Sequence, residues 1–224
     1  MSDDIAASFD PALGEPPRIA IIRAEGLRVS PREAAGVALA ELLGRVAGKG
    51  ESWLPASRKA AVRDMLRHGV YKPAGRSKPS SEYLLAAALD GSFPFVNGPV
   101  DANNAASLAY GYPASVFDLE KSGSELRIGR GRPGDSYVFN QSGQEIDLED
   151  LLCVWKRDGE VWRPIGNPVK DAMATKVFEG CSSIVAVLYA PKGPEGADLE
   201  ACAGYFAGLL RSDCGASDAA WRIL

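Results

Sequence analysis

Residues 114–140 read ASVFDLEKSGSELRIGRGRPGDSYVFN, and here the apolar period changes from helical to strand-like. Three short strands are expected inside the stretch, at 115–119, 125–129 and 135–140, parted by Gly, Asp and Ser turns. Downstream the same signals continue. Strands at 151–157 and 161–164 flank Asp158-Gly159, a hairpin signal. The run 182–189 is continuously apolar, as suits a strand in the middle of a sheet. An amphipathic helix carrying Leu199, Cys202, Ala203, Phe206, Leu209 and Leu210 closes the chain.

Upstream of residue 114 the pattern is mostly helical. A strand over 18–29 is followed by Ser30-Pro31-Arg32-Glu33, which reads as an N-cap, a first-turn proline and a capping box. The helix so started runs to Gly48. A second spans 56–67, burying Ala60, Ala61, Met65 and Val62, with Gly69 past its end and His68 beside the negative end of its dipole. A third spans 80–90, with Tyr83, Leu84, Ala87 and Ala88 inward. After a short strand at 95–97, Asp101 is expected to cap a fourth helix that stops at Gly111. Helices first, strands in the middle and a helix last make an α+β domain.

The 224 residues are 46% hydrophobic, and no linker divides them, so one domain over 18–224 is expected, preceded by a flexible polar arm over 1–17. No run approaches the length of a membrane span, and Met-Ser-Asp-Asp is not the start of a secretory signal, which points to the cytoplasm. Cys153, Cys181, Cys202 and Cys214 show no C-x-x-C pairing, and His68 is the single histidine. A Cys/His zinc site is therefore not expected, and four reduced thiols are. No metal or cofactor is implied.

The net charge of −4 argues against wholesale coating of nucleic acid, but the charge is uneven. Between residues 58 and 78, Arg58, Lys59, Arg63, Arg67, Lys72, Arg76 and Lys78 face one acid, Asp64, for a local +6. Such a stretch is either a solvated helix face with its loop or a guide for a polyanion.

Phosphate loops, dinucleotide fingerprints and nucleophile elbows are missing from the sequence. Polar density stands out instead. Arg76-Ser77-Lys78-Pro79-Ser80-Ser81-Glu82 brings cations and hydroxyls to a helix start, where an anion or a sugar hydroxyl is readily received. Asn97-Gly98-Pro99-Val100-Asp101-Ala102-Asn103-Asn104 brings three amides and a carboxylate to the next one. Capping is expected to use Asp101 and Asn104, leaving Asn97 and Asn103 free of structural duty.

Read in order, Lys72-Pro73-x-Gly75-Arg76-Ser77-Lys78-Pro79-Ser80-Ser81-Glu82-Tyr83-Leu84, Asn97-x-x-Val100-Asp101-x-x-Asn104, Leu108, Asp118-Leu119, Leu126-Arg127-Ile128-Gly129, Asn167-Pro168-Val169-Lys170-Asp171 and Thr175-Lys176 form a series. The series resembles the free-standing B3/B4-domain proteins, related to the editing domain of the phenylalanyl-tRNA synthetase beta subunit, over residues 62–190. The resemblance implies a B3/B4-like fold with a central, mostly antiparallel sheet flanked by helices, and makes 95–176 its ligand-facing half. It implies an aminoacyl-tRNA deacylase acting in trans, since that domain hydrolyses tyrosine wrongly esterified to phenylalanine tRNA. An aminoacyl ester is already activated, so a positioned water can suffice.

On this reading Asn97, Asp101 and Asn104 form the catalytic set, holding the amino acid or ribose and orienting the water. Arg76, Lys78, Ser80, Glu82, Asn103, Gly129, Asp135, Lys170 and Thr175 bind substrate, and Arg63, Arg67, Lys72 and Arg130 bind tRNA. Where the family shows a glutamate after a glycine in its central strands, this chain has the shorter Gly134-Asp135. Two other readings stand beside it: a non-catalytic module for tRNA or an amino-acid-like ligand, and a metabolic enzyme using the same pocket.

Overall fold

The computed structural model describes residues 5–224. Its strands are β1 (Ala6–Phe9), β2 (Arg18–Glu25), β3 (Ala114–Asp118), β4 (Glu125–Arg130), β5 (Ser136–Val138), β6 (Glu145–Asp147), β7 (Leu152–Asp158), β8 (Val161–Gly166), β9 (Ser183–Ala190) and β10 (Asp218–Ile223). Its helices are α1 (Val37–Lys49), α2 (Ala56–Leu66), α3 (Ser80–Leu89), α4 (Gly98–Tyr110), α5 (Leu119–Ser122) and α6 (Leu199–Cys214).

The apolar run of β9 makes it the centre of the first sheet, ordered β10-β2-β9-β3 and antiparallel throughout. Seven of its eight residues are buried. Burying a Val, Leu or Ile side chain is worth roughly 1.5–3 kcal/mol, so this strand anchors the core. Helices α4 and α6 pack on each other, α4 also against β3 and α6 against β2 and β10. The second sheet is ordered β1-β4-β7-β8, with β1 parallel to β4 and the other pairs antiparallel, and β5 pairs with β6 as a separate hairpin. One apolar cluster runs through all of this, from Ile128 and Val154 in the second sheet to Val187 and Phe206 around the first. The architecture is α+β with mostly antiparallel sheets flanked by helices.

Several local expectations need correction. Of the N-terminal arm, residues 1–4 lie outside the described residues, but Ala6–Phe9 is an ordinary strand in register with Glu125 to Ile128. The Ser30 capping box does not form. Pro31 instead bridges to Asn97, and α1 begins at Val37 after Gly36, because the Arg32 backbone N–H is taken by the Val96 carbonyl at 3.0 Å. Helix α2 buries Val62, as expected, together with Leu66, while Ala61 and Met65 are half-buried and Ala60 is exposed. Likewise α3 turns Leu84 and Leu85 inward and leaves Tyr83 41% exposed. Residues 95–97 contribute one bridge and no strand.

Helix α4 starts four residues earlier than its acidic side chain suggests. Asn97, not Asp101, is the N-cap. Gly111 ends it in the left-handed conformation, as expected. The four cysteines are buried and free. Among the described residues no helix is long and apolar enough to cross a membrane.

Candidate functional site

The polar cluster at the start of α4 divides its work. Asn97 Oδ1 accepts the Val100 N–H at 3.1 Å, and its Nδ2 donates to the Val177 carbonyl at 3.0 Å, tying the helix start to the chain that precedes β9. Asp101 Oδ1 reaches back to accept the Val96 N–H at 2.9 Å. Both side chains are thereby committed to the helix end, as first-turn orphan donors require. One turn further, Val100, Asn103 and Asn104 share a face, at the i, i+3, i+4 spacing of neighbours on a helix. That face lines a cavity of about 240 Å³.

The opposite wall is the loop after β8. Asn167 Oδ1 accepts the N–H groups of Val169 at 2.8 Å and Lys170 at 2.9 Å, an Asx turn that Asn-Pro favours. Asn167 Nδ2 donates to the Tyr137 hydroxyl, which in turn donates to the Lys170 carbonyl at 2.6 Å. The Ser80 N–H donates to the Pro168 carbonyl at 2.8 Å, joining this loop to the start of α3. So braced, the loop projects Lys170 and Asp171 at the cavity. Gly166 makes room for Asp171: a Cβ there would lie 2.5 Å from both Asp171 Oδ1 and the Phe117 ring.

Asp171 Oδ2 accepts the Val116 N–H at 3.1 Å, whereas Oδ1 is buried without a partner among the described residues. Burial pushes its pKa up to about 7, against the opposing pull of the nearby Ser115 hydroxyl, the Val116 N–H and the Lys176 charge. Lys170 and Lys176 are lowered from the usual lysine range, chiefly by burial, and Lys170 further by Arg76 and Lys176. Both ammonium groups lie against Phe139: Lys170 Nζ is 3.7 Å from the ring centroid, and Lys176 Nζ donates to the carbonyl at 2.6 Å. Val96 and Phe178, both more than 40% exposed, form the outer lip.

Ser80, Asn104, Val169 and Lys170 also line a second, wider cleft of about 880 Å³. The two spaces are therefore contiguous. Arg76, Tyr83, Phe139, Glu145 and Asp147 form the walls of the wider one.

The cavity thus gathers Asn103, Asn104, Ser80 and Lys170 of the residues singled out by sequence, with Arg76 in the adjoining cleft. The others lie elsewhere. Thr175 is buried and donates to the Ile165 carbonyl at 3.4 Å. Lys78 closes the short 3₁₀ turn Gly75–Ser77 and lines neither space. Glu82 pairs with Arg63, and Arg67 with Asp64. Lys72 Nζ bonds the Gly69 carbonyl at 2.8 Å. Arg130 holds the Leu66 carbonyl at 3.0 Å and the Asp150 carbonyl at 3.2 Å, bracing the end of α2. Gly129 abuts Asp10, and Asp135 Oδ2 accepts the Arg132 N–H at 2.7 Å.

Asp171, Lys176 and Asn167 join the site although sequence reasoning gave them no role. A signal was present: Asn167 and Asp171 repeat the spacing of Asn97 and Asp101.

No protein-family model matches the sequence, and no curated protein matches it. Among solved structures, the fold is similar to the crystal structure of an N-terminal fragment of the phenylalanyl-tRNA synthetase beta-subunit from Pyrococcus horikoshii. The TM-score is 0.50 and the identity 10%, over 99% of this chain and 50% of that one. The chain thus spans about half the length of that fragment. At this identity the likeness is one of fold, and it agrees with the α+β, B3/B4-like architecture described above.

Proposed function

We propose that the protein is an aminoacyl-tRNA deacylase acting in trans. The observation that carries the reading is the junction of two spaces: an inner cavity of about 240 Å³, walled by amides and a carboxyl group, opening past Asn104 and Lys170 into a cleft of about 880 Å³. An aminoacyl group fits the first, and the 3′-terminal nucleotide the second. The ester between them falls at the junction. There the Asn104 amide and the Lys170 ammonium are donors for the ester carbonyl. Water adds to the carbonyl carbon, the ribose oxygen leaves with a proton, and free amino acid and tRNA result. Donors aimed at the developing oxyanion supply most of the acceleration in such a site.

The test is a panel of mischarged tRNAs incubated with the protein while release of labelled amino acid is followed. At least one should be deacylated, with Lys170→Ala and Asn104→Ala slowing release by about 100-fold. No release from any member at high protein concentration overturns the reading.

A binding module for an amino-acid-like ligand is the second reading, and specific contacts favour it. Arg58 is held by Glu195 at 3.0 Å and by Asp198 at 3.2 Å, and with Arg63 on Glu82 and Arg67 on Asp64 three of the seven cations of the basic stretch are already ion-paired. In the cleft, Glu145 and Asp147 offset Arg76 and Lys170. Affinity for tRNA that does not fall with added salt, or no affinity at all, beside saturable binding of a free amino acid, would select this reading.

A further inference from the structure

The first sheet has one edge covered and one bare. On the β3 side, the loop after β8 takes up the Val116 N–H through Asp171. On the other side β10 is the outermost strand, and no backbone group among the described residues pairs with its outer edge. The Leu224 N–H bonds the Ile19 carbonyl across the β2 ladder at 2.9 Å, and alternate residues of an antiparallel pair share that direction. Arg222 and Ala220 therefore bond inward to β2, while Ala219, Trp221 and Ile223 turn their N–H and C=O groups outward. Of these, the Ala219 carbonyl alone is engaged among the described residues, by the Arg211 guanidinium from α6. Trp221 is 38% exposed. Beside it α6 is flat: a Cβ on Gly208 would meet nothing within 4 Å, and one on Gly204 only Trp221 Nε1 at 3.9 Å. A bare edge that carries no lysine, proline or bulge is a template for another strand.

We propose that a second copy of the chain docks on this edge, β10 against β10 about a two-fold axis, joining two four-stranded sheets into one. The charges select both the occupant and the register. Asp218 stands opposite Glu25 of β2, a like charge; Arg23 serves Glu25 and leaves Asp218 with no ion pair among the described residues. An axis through Ala220 sets Asp218 opposite Arg222 of the other copy, and Arg222 opposite its Asp218. These are non-hydrogen-bonded positions, where facing side chains come closest. Arg222 uses one N–H on the Ile5 carbonyl at 2.7 Å and has others left. The outward pairs are then Ala219 with Trp221, a small residue against a large one, each exchanging two N–H···O bonds. The Ala219 carbonyl keeps a second lone pair beside the one that Arg211 takes. An axis through Trp221 would instead set Ala220 against Arg222, and one through Arg222 would set that cation against itself. The pairing lies at the opposite edge of the sheet from β3, whose Ala114 and Val116 line the inner cavity, so the cavity stays open. The inference is independent of the deacylase reading.

Sedimentation velocity on the full chain over a concentration series should show the mass rise from 23.7 kDa to twice that value. Asp218→Arg makes both facing pairs cation against cation, and Arg222→Asp makes both acid against acid. Each variant alone should dimerise about 10- to 100-fold more weakly than wild type, because two facing pairs change sign. Mixed in equal amounts, the two variants should recover dimerisation, since each then meets the opposite charge at both positions. Hydrogen exchange on the wild type gives a readout that no folding defect imitates: the Trp221 amide should exchange more slowly as concentration rises. A single 23.7 kDa species at millimolar concentration would leave the edge to a different chain and overturn the inference. A dimer that neither charge reversal weakens, a mixture of the folded variants that stays monomeric, or Trp221 exchange that ignores concentration would overturn it as well.

Discussion

The chain uses one local device twice. At Asn97 to Asp101 and at Asn167 to Asp171, an asparagine Oδ1 gathers the backbone N–H groups that follow it, and an aspartate four residues on accepts one more. In both, the second carboxylate oxygen is buried and unpartnered among the described residues. The difference lies in the space each residue borders. Asp101 faces a void of about 10 Å³ bounded by Arg32, Leu39, Leu209 and Asp213, hardly room for one water. Asp171 faces the 240 Å³ cavity. Burial raises the pKa of both, and at Asp101 the Val96 N–H and the Arg32 charge oppose it. The same five-residue chemistry makes a helix start in one place and a ligand wall in the other.

The sharpest contrast should be in pH dependence. The Asp171 carboxyl is raised from 3.8 to about 7 in the fold, so the folded protein holds a proton that the unfolded chain releases. Its contribution to stability is full below about pH 4 and is lost as pH rises to about 7. The shift sets an upper bound of about 4 kcal/mol on that loss. Chemical denaturation at a series of pH values should show wild type losing stability across this window relative to Asp171→Asn. Parallel curves for the two proteins would refute the assignment.

A smaller difference is expected from paired glycine substitutions. Gly166→Ala forces a methyl onto Asp171 and the Phe117 ring at 2.5 Å, overpacking that should cost about 1–3 kcal/mol and weaken ligand binding. Gly98→Ala meets Cys214 Sγ at 3.0 Å and Arg32 Nη2 at 3.2 Å, both at the ends of side chains that can yield. It should cost under about 1 kcal/mol and leave binding unchanged. Urea midpoints and the mischarged-tRNA assay check both; equal costs would mean that the two motifs are equally tight.

A similarly small effect should follow Asp101→Ala, which removes the acceptor for the Val96 N–H. About 1 kcal/mol is expected, as for loss of a helix cap, with deacylation per folded molecule preserved. A loss of activity larger than the loss of folded protein would return Asp101 to the reacting centre.

Why sequence misassigned these two motifs is instructive. Asp101, followed by Ala102, Asn103, Asn104 and Ala105, has the pattern of a cap. Yet Asn97 before Gly98-Pro99 is the better cap, because proline in the first turn needs no donor and Asn accepts from the third residue on. The 167–171 loop was legible as a motif but not as a wall, since Asn-Pro marks a turn without saying what it faces. The basic run 58–78 was legible as charge, but its partners Glu82, Glu195 and Asp198 lie 19 to 140 residues away. The pieces β1, β6 and β10 are short, and β1 and β10 are rich in alanine, a weak strand former, so pairing with other strands creates them.

The sequence by itself determined the α+β order of elements, the central strand β9, the end of α4 at Gly111, the amphipathic pattern of α6, and the polar richness of 97–104 and 167–171. Periodicity, turn chemistry and capping are local interactions, written into neighbouring residues. Only the tertiary structure decided which amides and carboxyl groups remain unpaired, and that Asn103, Ser80 and Asp171 share one cavity. Burial and orphaned acceptors depend on what packs across from a residue, and those partners come from distant parts of the chain.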